Sequence, residues 1–257
     1  MADIRPNRAK LKLKRNEPVI AVSCSDTDTI DTLGSLGVVD CIWVEMEHGP
    51  VDWSQLSDIS RACDLWGMTS LVRVNTNEPW LVGRALDRGM QAVLAPHVNT
   101  REEAEQLVMG AKSTPVGRRS GTGRQGLGVT DYARMANDQT MVVALIEDIV
   151  AVNNLDEILT VKGVDCFMVV PGDLSHSMGP QYVGRGDHPD VVAVIERAMK
   201  KIVAAGYATG STANDGNIEH WLDVGGRMFL CNYQNYIGNG LRGLRQKVDA
   251  KVPPSGR

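Results

Sequence analysis

A (β/α)8 TIM barrel is the fold class that this sequence predicts, and three observations predict it. Eight runs rich in Val, Ile and Leu alternate with eight longer segments of helical periodicity. Most of these runs are apolar almost without interruption, the pattern of strands buried on both faces of a parallel sheet. The length of 257 residues matches a fold that typically needs about 250. No linker or shift of composition divides the chain, so residues 1–257 are read as one domain.

The elements follow in order. The first 17 residues are basic and amphipathic and predict a short helix that closes the bottom of the barrel. Strand one is VIAVSC, expected over 18 to 23 or 24, followed by a helix over Thr27–Leu36. Strand two is DCIWVEM (40–46); its helix is expected from Trp53 to Trp66, with Asp52 as N-cap and Gly67 as the stop. Strand three, TSLVRV, leads into EPWLVGRALDRG, with Pro79 in the first helical turn. Strand four is AVLAP, followed by REEAEQLVMGAK. A glycine-rich insertion and the helix DYARMAND precede strand five, MVVALIED, whose helix is AVNNLDEILTVKG. Strand six is CFMVVPGD, with a helix over Asp190–Ala205. Strand seven is YATGST, with NIEHWLDVGG, and strand eight is RMFLCN, with a last helix over Gly240–Val248. The tail VPPSGR is expected to fray.

Composition excludes several classes of function. A chain of this size can bury roughly three quarters of its unfolded surface, and 23% charged with 43% hydrophobic residues is ordinary for a globular protein. The net charge of -4 offers no cationic field for nucleic acid or an anionic membrane. No run is long enough to span a bilayer, and the first residues carry charges where a signal peptide has its apolar core, so a cytoplasmic protein is expected. The five cysteines form no CxxC pair and read as reduced core residues.

A barrel places its chemistry at the C-terminal ends of its strands, and here those ends are polar. The sharpest is DCIWVEMEHG (40–49), where an apolar run stops in Glu45, Glu47 and His48. Glu147 and Asp173 end adjacent strands without a cysteine or paired histidine nearby. An oxygen-only pair of this kind suits Mg²⁺, Mn²⁺ or Co²⁺ with positions left open for a chelating substrate; a helix N-cap at Asp173 and a solvated Glu147 are the plainer alternative. Arg73 ends strand three, where a guanidinium could hold a carboxylate or an oxyanion, or else form a salt bridge to Glu45 or Glu47. His48 has the ordinary pKa range of a general base. Ser211, near the end of strand seven, joins Arg73 as a candidate for substrate binding.

In chain order, EMEHG (45–49), the arginine of LVRV (71–74), the aspartate of RALDRG (84–89), QAVLAPHVNT (91–100), LIED (145–148) and VPGDLSHSMG (170–179) resemble the HpcH/HpaI-type class II pyruvate aldolases, whose relatives include macrophomate synthase. The resemblance implies Glu147 and Asp173 as metal ligands and Arg73 as the residue that steadies the pyruvate enolate. It also implies His48 with Asp87 as the acid/base dyad, and the amides of Gly172 and Asp173 as receptors of the oxoacid carboxylate. It further implies a cytosolic homo-oligomer, a hexamer built as a trimer of dimers, in which subunits exchange their last helix. A small 2-oxoacid and an aldehyde would be its substrates.

The departures from the family pattern are specific. Glu45 stands where aspartate is common, Leu145 where glutamine is common, Gly172 for alanine and Val170 for glycine; His97 takes a position that is usually apolar. FLCNYQNY differs from the usual glycine-rich pattern after strand eight. The insertion GRRSGTGRQGLG (117–128) lacks the GK[ST] ending of a phosphate loop. By resemblance it reaches a neighbouring subunit's site, where Arg118, Arg119 or Arg124 would meet an acidic substrate. Two other classes share these residues: a barrel lyase acting on a CoA thioester, which needs a basic groove, and a non-catalytic oligomeric binding protein.

Overall fold

The computed structural model describes residues 4–121 and 123–252. Eight parallel strands close on themselves in chain order, with the last pairing to the first. They are β1 (Val19–Ser23), β2 (Cys41–Glu45), β3 (Thr69–Arg73), β4 (Ala92–Ala95), β5 (Met141–Ile146), β6 (Cys166–Val169), β7 (Ala208–Thr212) and β8 (Met228–Asn232). The helices are α1 (Arg8–Lys14), α2 (Thr27–Ser35), α3 (Leu56–Leu65), α4 (Pro79–Asp87), α5 (Arg101–Ala111) and α6 (Tyr132–Gln139). They continue with α7 (Ile149–Asn153), α8 (Leu155–Ile158), α9 (Pro171–Ser177), α10 (Pro189–Ala204), α11 (Ile218–Asp223) and α12 (Tyr233–Lys251). The fold is the expected (β/α)8 barrel.

Alternation along each strand makes two apolar layers, because successive side chains of a strand point to opposite faces. Ala21, Cys41, Leu71, Leu94, Val143, Met168 and Leu230 fill the barrel interior. Ile42, Val72, Val93, Ala144, Phe167 and Phe229 face the helices and pack against residues such as Ile59, Leu86, Leu107 and Ile195. This parity decides which strand-end residues look into the mouth. The helix α1 closes the opposite end, where Ala9 and Leu13 join the interior layer. Asn7 caps it by accepting from the Lys10 N–H at 3.0 Å. Lys10 and Lys112 are both buried there against one carboxylate, Asp165, at 3.0 and 3.5 Å. Burial pushes the Lys112 amine down to about 7; Asp165 opposes this and Lys10 adds to it.

Several boundaries differ from the sequence reading. Asp52 does not cap α3, which starts at Leu56; Asp52 sits in a turn, its N–H donating to Gln55 Oε1 and its Oδ1 accepting from the Trp53 N–H. The helix expected over 151–163 is two short ones broken at Asn154, whose side-chain amide donates to the Asn99 carbonyl. The last helix begins at Tyr233, directly after β8, seven residues earlier than expected. Gly238 and Gly240 mask its first turns because glycine is a poor helix former. Its stripe of Ile237, Leu241, Leu244 and Val248 is exposed. All five cysteines are free and buried. Residues 253–257 of the tail lie outside the described residues.

Candidate functional site

The mouth of the barrel is built from residues of interior parity. Glu45 follows Cys41 and Trp43 on β2, and Arg73 follows Leu71 on β3; the two are register partners across the sheet. Glu147 follows Val143 and Leu145 at the end of β5. Trp43 lies below Glu45 on the same face, with its indole N–H buried and without a hydrogen-bond partner.

Glu45 organises the β2 end. Its Oε1 accepts the backbone N–H groups of Glu47 at 2.7 Å and His48 at 3.2 Å, and its Oε2 accepts from Arg73 Nε at 2.6 Å. The turn needs glycine at 49, because a Cβ there would collide with the Glu45 carbonyl oxygen. Arg73 therefore stands in a fixed fork. Its Nη1 approaches Glu47 Oε2 to 2.8 Å as an ion pair, without hydrogen-bond alignment, and lies 3.9 Å from Glu147 Oε2. Burial disfavours the guanidinium charge, but Glu45, Glu47 and Glu147 more than offset this and push its pKa up. The salt bridge and the functional reading of Arg73 are thus compatible.

Glu147 is the most enclosed of these carboxylates, 1% exposed. Its Oε1 accepts the His97 backbone N–H at 2.9 Å, while its Oε2 is buried without a hydrogen-bond partner. Burial pushes its pKa up; the His97 amide, the His97 ring and Arg73 oppose that, and Asp173 adds to it. Asp173 is therefore within electrostatic reach of Glu147. It occupies the first turn of α9, whose cap position is Val170 and whose first residue is Pro171, so the expected alternative of Asp173 as N-cap does not hold. Gly172 precedes it with open space where a Cβ would stand. Three carboxylates (Glu45, Glu47 and Glu147) face one guanidinium, and Asp173 adds a fourth negative charge within reach of Glu147, an arrangement with unmet demand for positive charge.

That donor set could hold a hard divalent cation. Among the described residues no group of three or more His, Cys, Asp and Glu side chains is arranged to hold a metal ion. Glu147 with Asp173 offers two carboxylates, and such a pair leaves positions for water and a chelating ligand. An orphaned buried carboxylate oxygen fits this use, since leaving it unpartnered costs about 1–3 kcal/mol or more.

The remaining expected residues divide. His48 is at the mouth, its side chain 68% exposed and its Nε2 3.9 Å from Glu47 Oε2. Asp87 is not beside it within this chain. Asp87 ends α4, at the end of the barrel away from the mouth, and accepts from Arg119 Nη2 at 2.9 Å. It lines a cleft of about 480 Å³ with Trp80, Arg84, Arg118 and Arg119. Ser211 is corrected by parity: it shares its face with Thr209 and Ala213, is fully buried toward the helices, and cannot touch a ligand in the mouth. Arg124 is held by Asp64 at 2.7 Å. Arg118 is the arginine of the insertion without an ion pair among the described residues, so the basic groove needed for a CoA thioester is largely neutralised. Asp148 caps α7 and takes no part in the mouth. The sequence reading missed the place of His97, which bends over the Glu147 carboxylate in the left-handed region at φ 52°; its signal was a lone imidazole directly after Pro96 at a strand end.

The fold and the charged mouth are those of a (β/α)8-barrel enzyme. The family model for HpcH/HpaI aldolase/citrate lyase matches residues 22–225. Hydroxypyruvate/pyruvate aldolases of Agrobacterium fabrum and Roseobacter denitrificans are each 35% identical, over 96% and 86% of this chain and 96% and 88% of theirs. Among solved structures, an HpcH/HpaI aldolase/citrate lyase family protein from Burkholderia cenocepacia superposes with a TM-score of 0.86 at 29% identity, covering 94% of this chain and 99% of that one. Macrophomate synthase shares the fold, with a TM-score of 0.82 at 20% identity over 100% of this chain and 94% of that one. The chain belongs to the HpcH/HpaI aldolase/citrate lyase family and is an enzyme of the lyase type that this name describes. No helix among the described residues is long and apolar enough to cross a membrane.

The incompletely compensated charge of Glu147 has a stability signature. A carboxyl whose folded pKa is raised costs stability as pH rises through that value. With divalent ions chelated, Glu147→Gln is expected to be more stable than the wild type by about 1–3 kcal/mol near pH 8. The difference should vanish in acid, where Glu147 is itself protonated. Equal unfolding free energies at both pH values would contradict the buried, incompletely compensated carboxylate.

Proposed function

We propose that this chain is a divalent-metal-dependent aldolase that cleaves and forms 4-hydroxy-2-oxoacids from pyruvate, or a close relative such as hydroxypyruvate, and an aldehyde. The observation that carries the reading is Glu147, buried beside Asp173 and Arg73 with one carboxylate oxygen left without a partner. The names of the 35% identical relatives point to the oxoacid. Glu147 and Asp173 hold the ion, Mg²⁺, Mn²⁺ or Co²⁺. When bound, it supplies Lewis-acid polarisation of the oxoacid's keto group.

The chain's own residues do the rest. The first-turn amides of Gly172 and Asp173, free of intrahelical partners, receive the oxoacid carboxylate. Arg73, locked by Glu45 and Glu47, puts fixed positive charge where the enolate oxygen develops, which costs no reorganisation during reaction. His48 takes the proton of the C4 hydroxyl, directly or through water. The C3–C4 bond then breaks, the aldehyde leaves, its bonding pair becomes the enolate, and C3 is protonated in turn. Because His48 and Asp87 lie at opposite ends of one barrel, a dyad between them joins two subunits of a homo-oligomer. The exposed stripe of α12 and an apolar groove of about 600 Å³, lined by Leu33, Leu36, Tyr233 and Ile237, favour such an assembly with exchanged last helices, as in the hexamer that the resemblance implies.

Two measurements test this. Proton NMR of pyruvate in D₂O should show metal-dependent loss of methyl protons, slowed about 10² to 10⁴-fold in His48→Ala. An exchange rate unchanged in that variant would remove His48 from the mechanism. Separately, co-assembled His48→Ala and Asp87→Ala chains should recover aldolase activity that neither variant has alone. No recovery would place the two residues in independent roles.

A further inference from the structure

The backbone of His97 is the feature of the mouth that the reaction above does not use. It is a residue with a Cβ held at φ 52°, a region uncommon for residues other than glycine, though histidine enters it more often than most, as Asn and Asp do. Strained conformations of this kind persist where the surroundings over-determine them, and they cluster at functional sites. Here the surroundings are visible. The left-handed turn aims the His97 N–H at Glu147 Oε1, 2.9 Å away. It also lays the ring between two carboxylates, with Nδ1 3.5 Å from Glu147 Oε1 and Nε2 3.4 Å from Glu47 Oε1.

Both contacts to Glu147 fall on the same oxygen. The other oxygen, Oε2, is the one left without a hydrogen-bond partner, on the side of Arg73 Nη1 at 3.9 Å. A carboxylate gripped only through its backbone contact could still turn about its last torsion, which is broad. A ring wedged between Glu147 and Glu47 limits that turn and keeps Oε2 presented. We propose that His97 is a positioning residue, its imidazole clamping Glu147 Oε1 against Glu47 so that Oε2 is pre-aimed at a divalent cation. This rests on the reading of Glu147 as a cation ligand and assigns the cation's affinity in part to a side chain that is not itself a ligand. Groups that orient a ligand typically contribute 10 to 100-fold in metal affinity.

Glycine at 97 separates the ring from the backbone, because it adopts the left-handed conformation freely and keeps the N–H that Glu147 accepts. Mn²⁺ affinity of the full-length protein is read from the electron paramagnetic resonance of free Mn²⁺, which needs no substrate. His97→Gly should bind Mn²⁺ about 10 to 100-fold more weakly than the wild type. Because the ring is half-exposed at the mouth, 53% in the side chain, millimolar imidazole should refill its place and restore much of the loss, with no such gain in the wild type. Affinity equal to that of the wild type would overturn the clamp, and so would a loss that imidazole leaves untouched. Glu147→Ala run alongside keeps the two ideas apart. Wild-type Mn²⁺ affinity in Glu147→Ala would overturn the ligand reading and the clamp with it, whereas loss in Glu147→Ala with none in His97→Gly overturns the clamp alone.

Discussion

Three carboxylates gathered around one arginine at the open end of a barrel, with Asp173 in reach of one of them, repel each other, and the arrangement of the mouth follows from how that repulsion is managed. Glu45 and Glu47 are settled by Arg73, which they hold in one orientation. Glu147 is only half settled: one oxygen is held by the His97 amide, and the other, 3.9 Å from Arg73 Nη1, accepts no hydrogen bond. Burial and Asp173 both act against its charge. A hydrophobic side chain at position 147 would remove this cost, and replacing buried charge by apolar groups is often neutral or stabilising. Its presence is understandable if a cation completes the cluster.

The barrel makes such a cluster possible. Alternation along the strands sends Glu45, Arg73 and Glu147 to the interior face, above layers of Leu, Val and Met that keep the floor dry. Water is excluded from below, so each charge at the rim acts more strongly than it would on an open surface. Rigid strands position the groups and the loops vary, which is why the arginine-bearing insertion after α5 can be tied down by Asp87 and Asp64 at the far end without disturbing the mouth.

Much of this was legible in the sequence. Near-continuous apolar strands separated by helical periods fixed the barrel, and charged residues at strand ends named Glu45, Arg73, His48, Glu147 and Asp173. What was not legible follows physical reasons. YATGST has small residues on both faces, so no hydrophobic alternation marked Ser211 as facing the helices. Asp87 was paired with His48 by resemblance alone, although the helix that starts at Pro79 already puts it at the end away from the mouth. The left-handed turn at His97 aims its N–H at a carboxylate 50 residues away in the chain, a partner that no local pattern announces. Glycines hid the first turns of α12, whose exposed stripe is a matter for a second chain and not for this one.

The charge balance of the mouth turns on where a cation sits. Crystals grown with Mn²⁺ and diffracted near its absorption edge would locate the ion by anomalous scattering, independently of any assay. A peak is expected within bonding distance of Glu147 Oε2 and the Asp173 carboxylate. A peak placed on Glu45 and Glu47 instead, or no peak at the barrel mouth, would contradict this placement.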